Sequence, residues 1–194
     1  MDLTEHSFIQ IFFIVLWIMM PAYLANTFAA LTGGKYPIDQ GKMHSDGNRI
    51  LGDGKTWSGL IGGTLGGMLI GYLQINYGNY FIDKLANSSN YDFWGEHSLI
   101  IIFLLAFGAL LGDMTASFFK RRSKLNRGDK SPILDMFDFI GMALFLTLIF
   151  DFEWLKSWIL ESYAPIFTLL IATPILHRGV NIIGYKLGVK NEPW

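Results

Sequence analysis

Three carboxylates, Asp113, Asp135 and Asp138, stand at the ends of two long apolar stretches, and six basic residues lie between them: Lys120, Arg121, Arg122, Lys124, Arg127 and Lys130. A carboxylate at the edge of a bilayer is costly to keep, so acids held there mark a functional site by default. Asp135 and Asp138 are three residues apart and share one helix face, with Cβ atoms about 5–6 Å apart. The two stretches run antiparallel, so Asp113 can sit at the same depth. Such oxygen donors suit one or two Mg2+ ions, which keep waters and take substrate phosphates as further ligands. Acid for a divalent cation and base for phosphate, set beside lipid, points to phosphate chemistry on a lipid. Simpler roles exist for parts of the set. Asp135 also suits a helix start, the acids can pair with Lys120, Arg121 or Arg122, and a juxtamembrane basic loop is a common topology and anionic-lipid signal. Asp113, beyond a long apolar run, has no such simple role.

Other candidate residues carry weaker signals. Asp53-Gly54-Lys55-Thr56 precedes a glycine-rich stretch and invites a P-loop reading. That motif fails, because a Walker A sequence needs Gly six residues before its Lys and Arg49 stands there. What remains is either a plain loop or an anion cradle at a helix N-terminus. Asn26 is a polar residue inside the first apolar run, where such side chains bond another helix or line a cavity. His6, His44, His97 and His177 show no ligand spacing and are expected at the interfaces. Asn87-Ser88-Ser89 forms a short glycosylation sequon.

The elements that must position these residues read as membrane helices. The chain has 194 residues, enough for one domain, of which 52% are hydrophobic, and a mean hydropathy of +0.36. Cysteine is absent, which excludes disulfides and thiolate metal sites. Five runs can cross a hydrocarbon core, which needs about 20 helical residues: 7–31, 57–80, 98–119, 133–150 and 163–183. The runs are continuously apolar, so helices and not barrel strands are expected. Asp2 and Glu5 give no basic n-region, and the first run is expected to stay in the membrane. Thirteen of fifteen Lys and Arg fall in loops 33–55 and 120–132 or at the C-terminal end. The positive-inside rule then places the N-terminus outside and the C-terminus and both basic loops in the cytoplasm. Gly59, Gly63, Gly67 and Gly71, with Gly62 and Gly66, form a small-residue ridge on the second run. Another helix packs there, from this chain or from a second copy in a homodimer. Pro21 and Pro174 are expected to kink their helices.

The motifs resemble a known family. Lys55-Thr56 with Gly59, Gly62 and Gly63 resembles a Lys-Thr-x-x-Gly-x-x-Gly-Gly element of CTP-dependent phosphatidate cytidylyltransferases. Gly112-Asp113, Ser117, Lys120-Arg121 and the later Asp135 and Asp138 resemble that family's signature. Longer members place Pro-Gly-His-Gly-Gly before the late acids; here the chain reads Lys130-Ser-Pro-Ile-Leu-Asp135, without histidine. The short form is similar to the archaeal branch, the CDP-archaeol synthases. Pro21-Ala-x-x-Ala-Asn26, Lys35-x-Pro37-Ile-Asp39, Arg49-x-Leu-Gly-Asp-Gly-Lys-Thr56 and a C-terminal Asn181…Tyr185…Gly188…Lys190…Pro193-Trp194 carry that likeness along the chain.

The resemblance implies a single membrane domain spanning residues 1–194, with five transmembrane helices and a cytoplasmic active site. It implies CTP and an isoprenoid ether lipid phosphate as substrates, Mg2+ as cofactor, membrane lipid as surroundings, and no nucleic acid. Asp113, Asp135 and Asp138 are the implied metal ligands, with Lys120 beside them in catalysis. Asp53, Gly54, Lys55, Thr56, Ser117, Arg121, Asn26 and Lys35 are the implied nucleotide contacts. Two rivals stand apart. A CDP-alcohol phosphotransferase needs Asp-Gly-x-x-Ala-Arg, but Asp46-Gly47 lacks the Ala-Arg, and its late acids are spaced by four. A small transporter needs ionisable residues at mid-membrane depth, and the outer halves of these runs are nearly free of charge.

Overall fold

The computed structural model describes residues 7–86, 97–125, 131–186 and 188, without the side chains of 79–86, 132 and 133. The Asn87 sequon, Arg127, Lys130, Asp2, Glu5, His6 and the motif residues Lys190, Pro193 and Trp194 lie outside the described residues. The described chain is helical, with only isolated bridges Pro37–Thr56 and Met43–Arg49 in extended pairing.

Ser7 opens α1 (Phe8–Ile18) with a capping box: its hydroxyl accepts from Gln10 N at 3.4 Å, and Gln10 Oε1 accepts from Ser7 N at 2.9 Å. α2 (Met20–Thr32) follows at a 42° bend. Pro21 lies in the first turn of α2, where its missing N–H has no intrahelical partner to lose. The kink expected at Pro21 is therefore a break around Met19. Pro174 instead sits inside α7 (Tyr163–Lys186), which is helical on both sides of it. Between them run α3 (Trp57–Ala86), α4 (Leu99–Arg122) and α5 (Pro132–Phe150). A short α6 (Phe152–Leu155) and a π-turn (Lys156–Leu160) then lead into α7. The Trp57–Gly78 part of α3, α4 and α7 are each long and apolar enough to cross a membrane, and the bent α1–α2 pair can count as a fourth span. α5 has 19 residues, with both late acids in its first two turns. Large apolar side chains such as Phe13, Leu65, Phe145 and Ile171 point outward, the arrangement hydrocarbon solvates and water does not.

The glycine ridge of α3 is filled from within the chain. A β-carbon at Gly63 falls 2.8 Å from Ala25 O and 2.9 Å from Leu110 Cδ1. One at Gly67 falls 2.7 Å from both Pro21 O and Ala106 Cβ. Gly66 receives the Phe28 ring, Gly62 the Thr32 side chain and Gly71 the Ile102 side chain. The ridge is thus the seat of α2 on one side and α4 on the other, both antiparallel to α3. No glycine of that ridge is left to seat a second copy, which removes the reason for placing a homodimer there.

At the other end of the bundle, His97 is buried against the rings of Trp154 (5.5 Å) and Trp158 (6.2 Å). Burial lowers its pKa from 6.5 to about 4. The folded state therefore binds fewer protons than the unfolded chain between these values. The contribution is full above the unfolded pKa and is lost as pH falls toward the folded one. The midpoint of thermal unfolding in detergent should fall between pH 7 and pH 5, as stability drops by up to about 1.4 kcal/mol per pH unit below 6.5. In His97→Gln that slope should flatten.

Candidate active site

Loop 33–56 is organised by one carboxylate. Asp39 has a side chain only 1% exposed, and Arg49 clamps it with Nε at 3.1 Å and Nη2 at 2.6 Å. The same carboxylate accepts from Leu51 N (3.0 Å), Gly52 N (2.9 Å) and Gly41 N (3.2 Å). The Arg49 guanidinium, with these backbone donors, holds the Asp39 carboxyl well below the usual carboxylate range. Arg49 also reaches Asp53 Oδ1 at 2.8 Å. Gly52 takes φ +93°, a left-handed turn that side chains resist, and lies beside Arg121. Asp39→Ala leaves three backbone N–H groups without their acceptor and Arg49 with only the exposed Asp53, so it should cost about 2–3 kcal/mol. Because the depressed pKa keeps Asp39 ionised, that contribution is present at neutral pH and is lost only below about pH 4. Chemical denaturation of the purified variant at pH 7 and pH 3 checks both statements.

The loop is fastened to the end of α4. Arg122 donates to Arg49 O at 2.6 Å, pairs with Asp46 at 3.2 Å and lies 5.1 Å over the Phe118 ring. Arg121 donates to Leu125 O just beyond its own helix. These contacts fix where the loop returns to α3. There Thr56 caps the helix, its Oγ1 accepting from Gly59 N at 3.1 Å, while Trp57 N donates to Tyr36 O at 3.0 Å. The first N–H groups of α3 are largely spent on the protein itself. An anion at Gly54-Lys55-Thr56 would therefore meet the Lys55 ammonium, with little help from the backbone.

Lys55 Nζ meets Asp113 Oδ2 at 2.5 Å. Lys120 pairs likewise with Asp135, whose other oxygen accepts from Ser131 N at 3.0 Å. Asp138 is brought beside them by glycine. A β-carbon at Gly112 would fall 2.2 Å from Asp138 O, and one at Gly108 2.7 Å from Ala143 Cα. The backbones of α4 and α5 touch at these two glycines, so Asp113 and Asp138 are set close across the contact.

All three acids line one cavity of about 760 Å³. Asn26, Gly54, Lys55 and Thr56 share its polar part, and the Asp113 side chain keeps 38% exposure there. The Asn26 Oδ1 atom is buried without a hydrogen-bond partner. Leu16, Trp17, Met20, Leu24, Leu176 and Val180 line an apolar limb of the same cavity. His177 and Asn181 of α7 face it too; Asn181 belongs to the C-terminal motif that carries the family likeness, and His177, expected at an interface, lies within α7 on the cavity. Lys35, Asp53, Ser117, Lys120 and Arg121 are not among the lining side chains. Lys35 is exposed and engages Ser58 through its backbone, Asp53 pairs with Arg49, and Lys120 reaches the cavity through Asp135.

Among the described residues, no three acid or histidine side chains converge closely enough to hold a metal ion as they stand. Lys55 and Lys120 instead neutralise Asp113 and Asp135 individually. The donor set nonetheless fits Mg2+. Three carboxylates and an orphaned amide oxygen on one cavity are hard oxygen ligands, the type that cation selects.

The model of the CarS-like family, CDP-archaeol synthase, matches residues 8–194. The CDP-archaeol synthase of Methanospirillum hungatei is 49% identical over 177 residues, covering 91% of this chain and all of that protein. That of Methanocorpusculum labreanum is 47% identical over 184 residues, again covering 91% and all. A solved structure of an intramembrane enzyme for archaeal membrane lipid biosynthesis has a TM-score of 0.62 at 32% identity, covering 86% of this chain and 92% of that one. With acids, a lysine and apolar side chains lining one cavity, and matched this way over nearly its whole length, the chain belongs to the CDP-archaeol synthase family.

Proposed function

We propose that this chain transfers a cytidylyl group from CTP to the phosphate of 2,3-bis-(O-geranylgeranyl)-sn-glycerol 1-phosphate, giving CDP-archaeol and pyrophosphate. The observation that carries this reading is the single cavity, which joins Lys55, Asp113, Asp135, Asp138 and Asn26 to an apolar limb. One end suits nucleotide phosphates, and the other suits isoprenoid chains. A lipid phosphate oxygen attacks the α-phosphorus of CTP, and the bond to the bridging oxygen of the β-phosphate breaks. The nucleophile is already anionic, so no strong general base is needed, and catalysis reduces to positioning and charge neutralisation.

Lys55 steadies the triphosphate by exchanging its Asp113 partner for phosphate oxygens. Lys120, released from Asp135, and Arg121 offset the charge of the departing pyrophosphate. Thr56 and Gly54 shape the wall beside them. Asp53 acts through Arg49, and Ser117 and Lys35 are kept as nucleotide contacts on the family likeness alone. Asp113, Asp135 and Asp138 would hold Mg2+, which when bound neutralises phosphate charge and polarises the reacting phosphorus. The positive-inside rule supports a cytoplasmic site, with five spans, the fifth supplied by α5, and the N-terminus outside.

Purified protein in detergent tests this. Pyrophosphate release should require CTP, a divalent cation and the phosphorylated ether lipid together, and should stop on chelation and return on adding Mg2+. Release that persists without the lipid, or without CTP, would refute the reading.

A further inference from the structure

The polar residues of α7 form a stripe that cytidylyl transfer has not yet used. Thr173, His177 and Asn181 recur at intervals of four, so they share one face of an otherwise apolar helix. Polar groups on an apolar span turn toward protein or a cavity and away from lipid. Thr173 is fully buried, and its Oγ1 lies 3.0 Å from the Tyr23 hydroxyl. That pair ties α7 to α2 and accounts for the first position. The other two face the cavity. Asn181 is 3% exposed, and its Nδ2 lies 3.3 Å from Nε2 and 3.4 Å from Nδ1 of His177.

Their place in the cavity is informative. The His177 ring stacks against Phe139 with centroids 6.3 Å apart, and Phe139 is the residue after Asp138. The pair thus stands against the acid-bearing start of α5. Along the same helix, Leu176, Val180 and Ile183 join Leu16, Trp17 and Met20 of the α1–α2 arm in the apolar limb. His177 and Asn181 are thus the polar groups among these α7 residues, at the point where the cavity passes the acid-bearing start of α5. An amphiphile with its chains in that limb and a phosphate at its end carries the phosphate to this point. The reaction also demands a second anion holder. Two phosphate groups repel, and the acceptor must be fixed within reach of the α-phosphorus while Lys55 is committed to the nucleotide.

We propose that His177 and Asn181 hold the phosphate of the lipid acceptor, donating hydrogen bonds from the imidazole N–H and the carboxamide NH2. The assignment rests on the cytidylyl-transfer reading and divides its cavity between the two substrates. It makes the pair a recognition element for a phosphate monoester on an apolar chain, and not for CTP.

The test compares wild type with His177→Gln and Asn181→Ala. Binding of a saturated diether glycerol phosphate, presented in detergent micelles, is measured against binding of its dephosphorylated alcohol. CTP binding with Mg2+ is measured by calorimetry on the same samples. Wild type should prefer the phosphate lipid, and each variant should lose that preference by about tenfold or more, the worth of a hydrogen bond to a charged group. Calorimetric CTP affinity should stay within about twofold, which also shows that the variants fold. In turnover, the KM for lipid should rise while the KM for CTP holds. An unchanged lipid preference overturns the assignment, as does a CTP affinity that falls together with it. The lipid-binding arm reads out without turnover. A wild type that prefers the phosphate lipid but releases no pyrophosphate therefore counts against cytidylyl transfer, and loss of that preference in the variants still supports this site.

Discussion

Replacing Asp113 by Asn should lower the rate of CTP-dependent pyrophosphate release by at least about 10³-fold while the protein remains folded. The side chain is nearly isosteric, and its 38% exposure means that no tightly packed contact is lost. What changes is charge. The substituted carboxamide offers a neutral oxygen where a carboxylate faced the cavity, so a cation there would be held one charge more weakly. The variant also frees Lys55, whose ammonium meets Asp113 at 2.5 Å in the wild type. The two effects have opposite signs for CTP. Binding measured without divalent cation should hold or strengthen, because Lys55 no longer has to leave a carboxylate. The gain in affinity on adding Mg2+ should shrink. Turnover and calorimetry with and without Mg2+ separate these terms, and near-wild-type turnover would mean that Asp113 does not serve the metal.

Gly112→Ala should be the most damaging of the small substitutions. Its added carbon would lie 2.2 Å from Asp138 O, 2.7 Å from Asp138 C and 2.9 Å from Met142 Cβ. Two of those atoms are backbone and cannot rotate aside, so α5 as a whole must back away from α4. Overpacking of this kind costs about 1–3 kcal/mol. The shift also carries Asp138 away from Asp113, and displacement of a reacting group by about 1 Å is worth about 100-fold in rate. Gly141→Ala is the control. It lies on α5 with nothing within 4 Å of the added carbon, so helix propensity acts alone and favours Ala by up to about 1 kcal/mol. Thermal unfolding in detergent should show Gly112→Ala shifted down and Gly141→Ala unchanged or up. Only the first should lose activity. Equal behaviour of the two would remove the α4–α5 contact from the account.

Much of this scaffold is legible in the chain, and the exceptions share a cause. The apolar runs fix where helices begin, because Ser7 and Ser98, the first residues of their runs, are caps and Thr56 caps α3. They fix the ends less well. α4 continues to Arg122 although its apolar run stops at Phe119, since hydropathy reports lipid contact and helical hydrogen bonding does not need it. The first run reads as one segment, yet it is two helices, because a proline breaks geometry without interrupting hydrophobicity. The acids and Lys55 stand out from local chemistry alone, and they do line a common cavity. Their pairing does not follow from spacing. Lys55 and Asp113 are 58 residues apart, and only folding shows that Asp113 and Asp135 each meet a lysine first. The Asp39–Arg49 hub is equally hidden, since an Asp and an Arg in a polar loop look like solvated charges. His177 and Asn181 gain meaning only when α7 is laid against α5. The glycine ridge announces close packing, and its partners, Ala25 and Leu110 among them, become known only from the assembled bundle.

The most direct measurement is an anomalous difference map from crystals grown with CTP and Mn2+, a stand-in for Mg2+ with the same preference for oxygen ligands. The expected peak lies between the Asp113 and Asp138 carboxylates and touches phosphate oxygens, with Lys55 turned from Asp113 to the triphosphate. A nucleotide bound elsewhere, or a metal peak away from those two carboxylates with the Lys55–Asp113 pair intact, would contradict it.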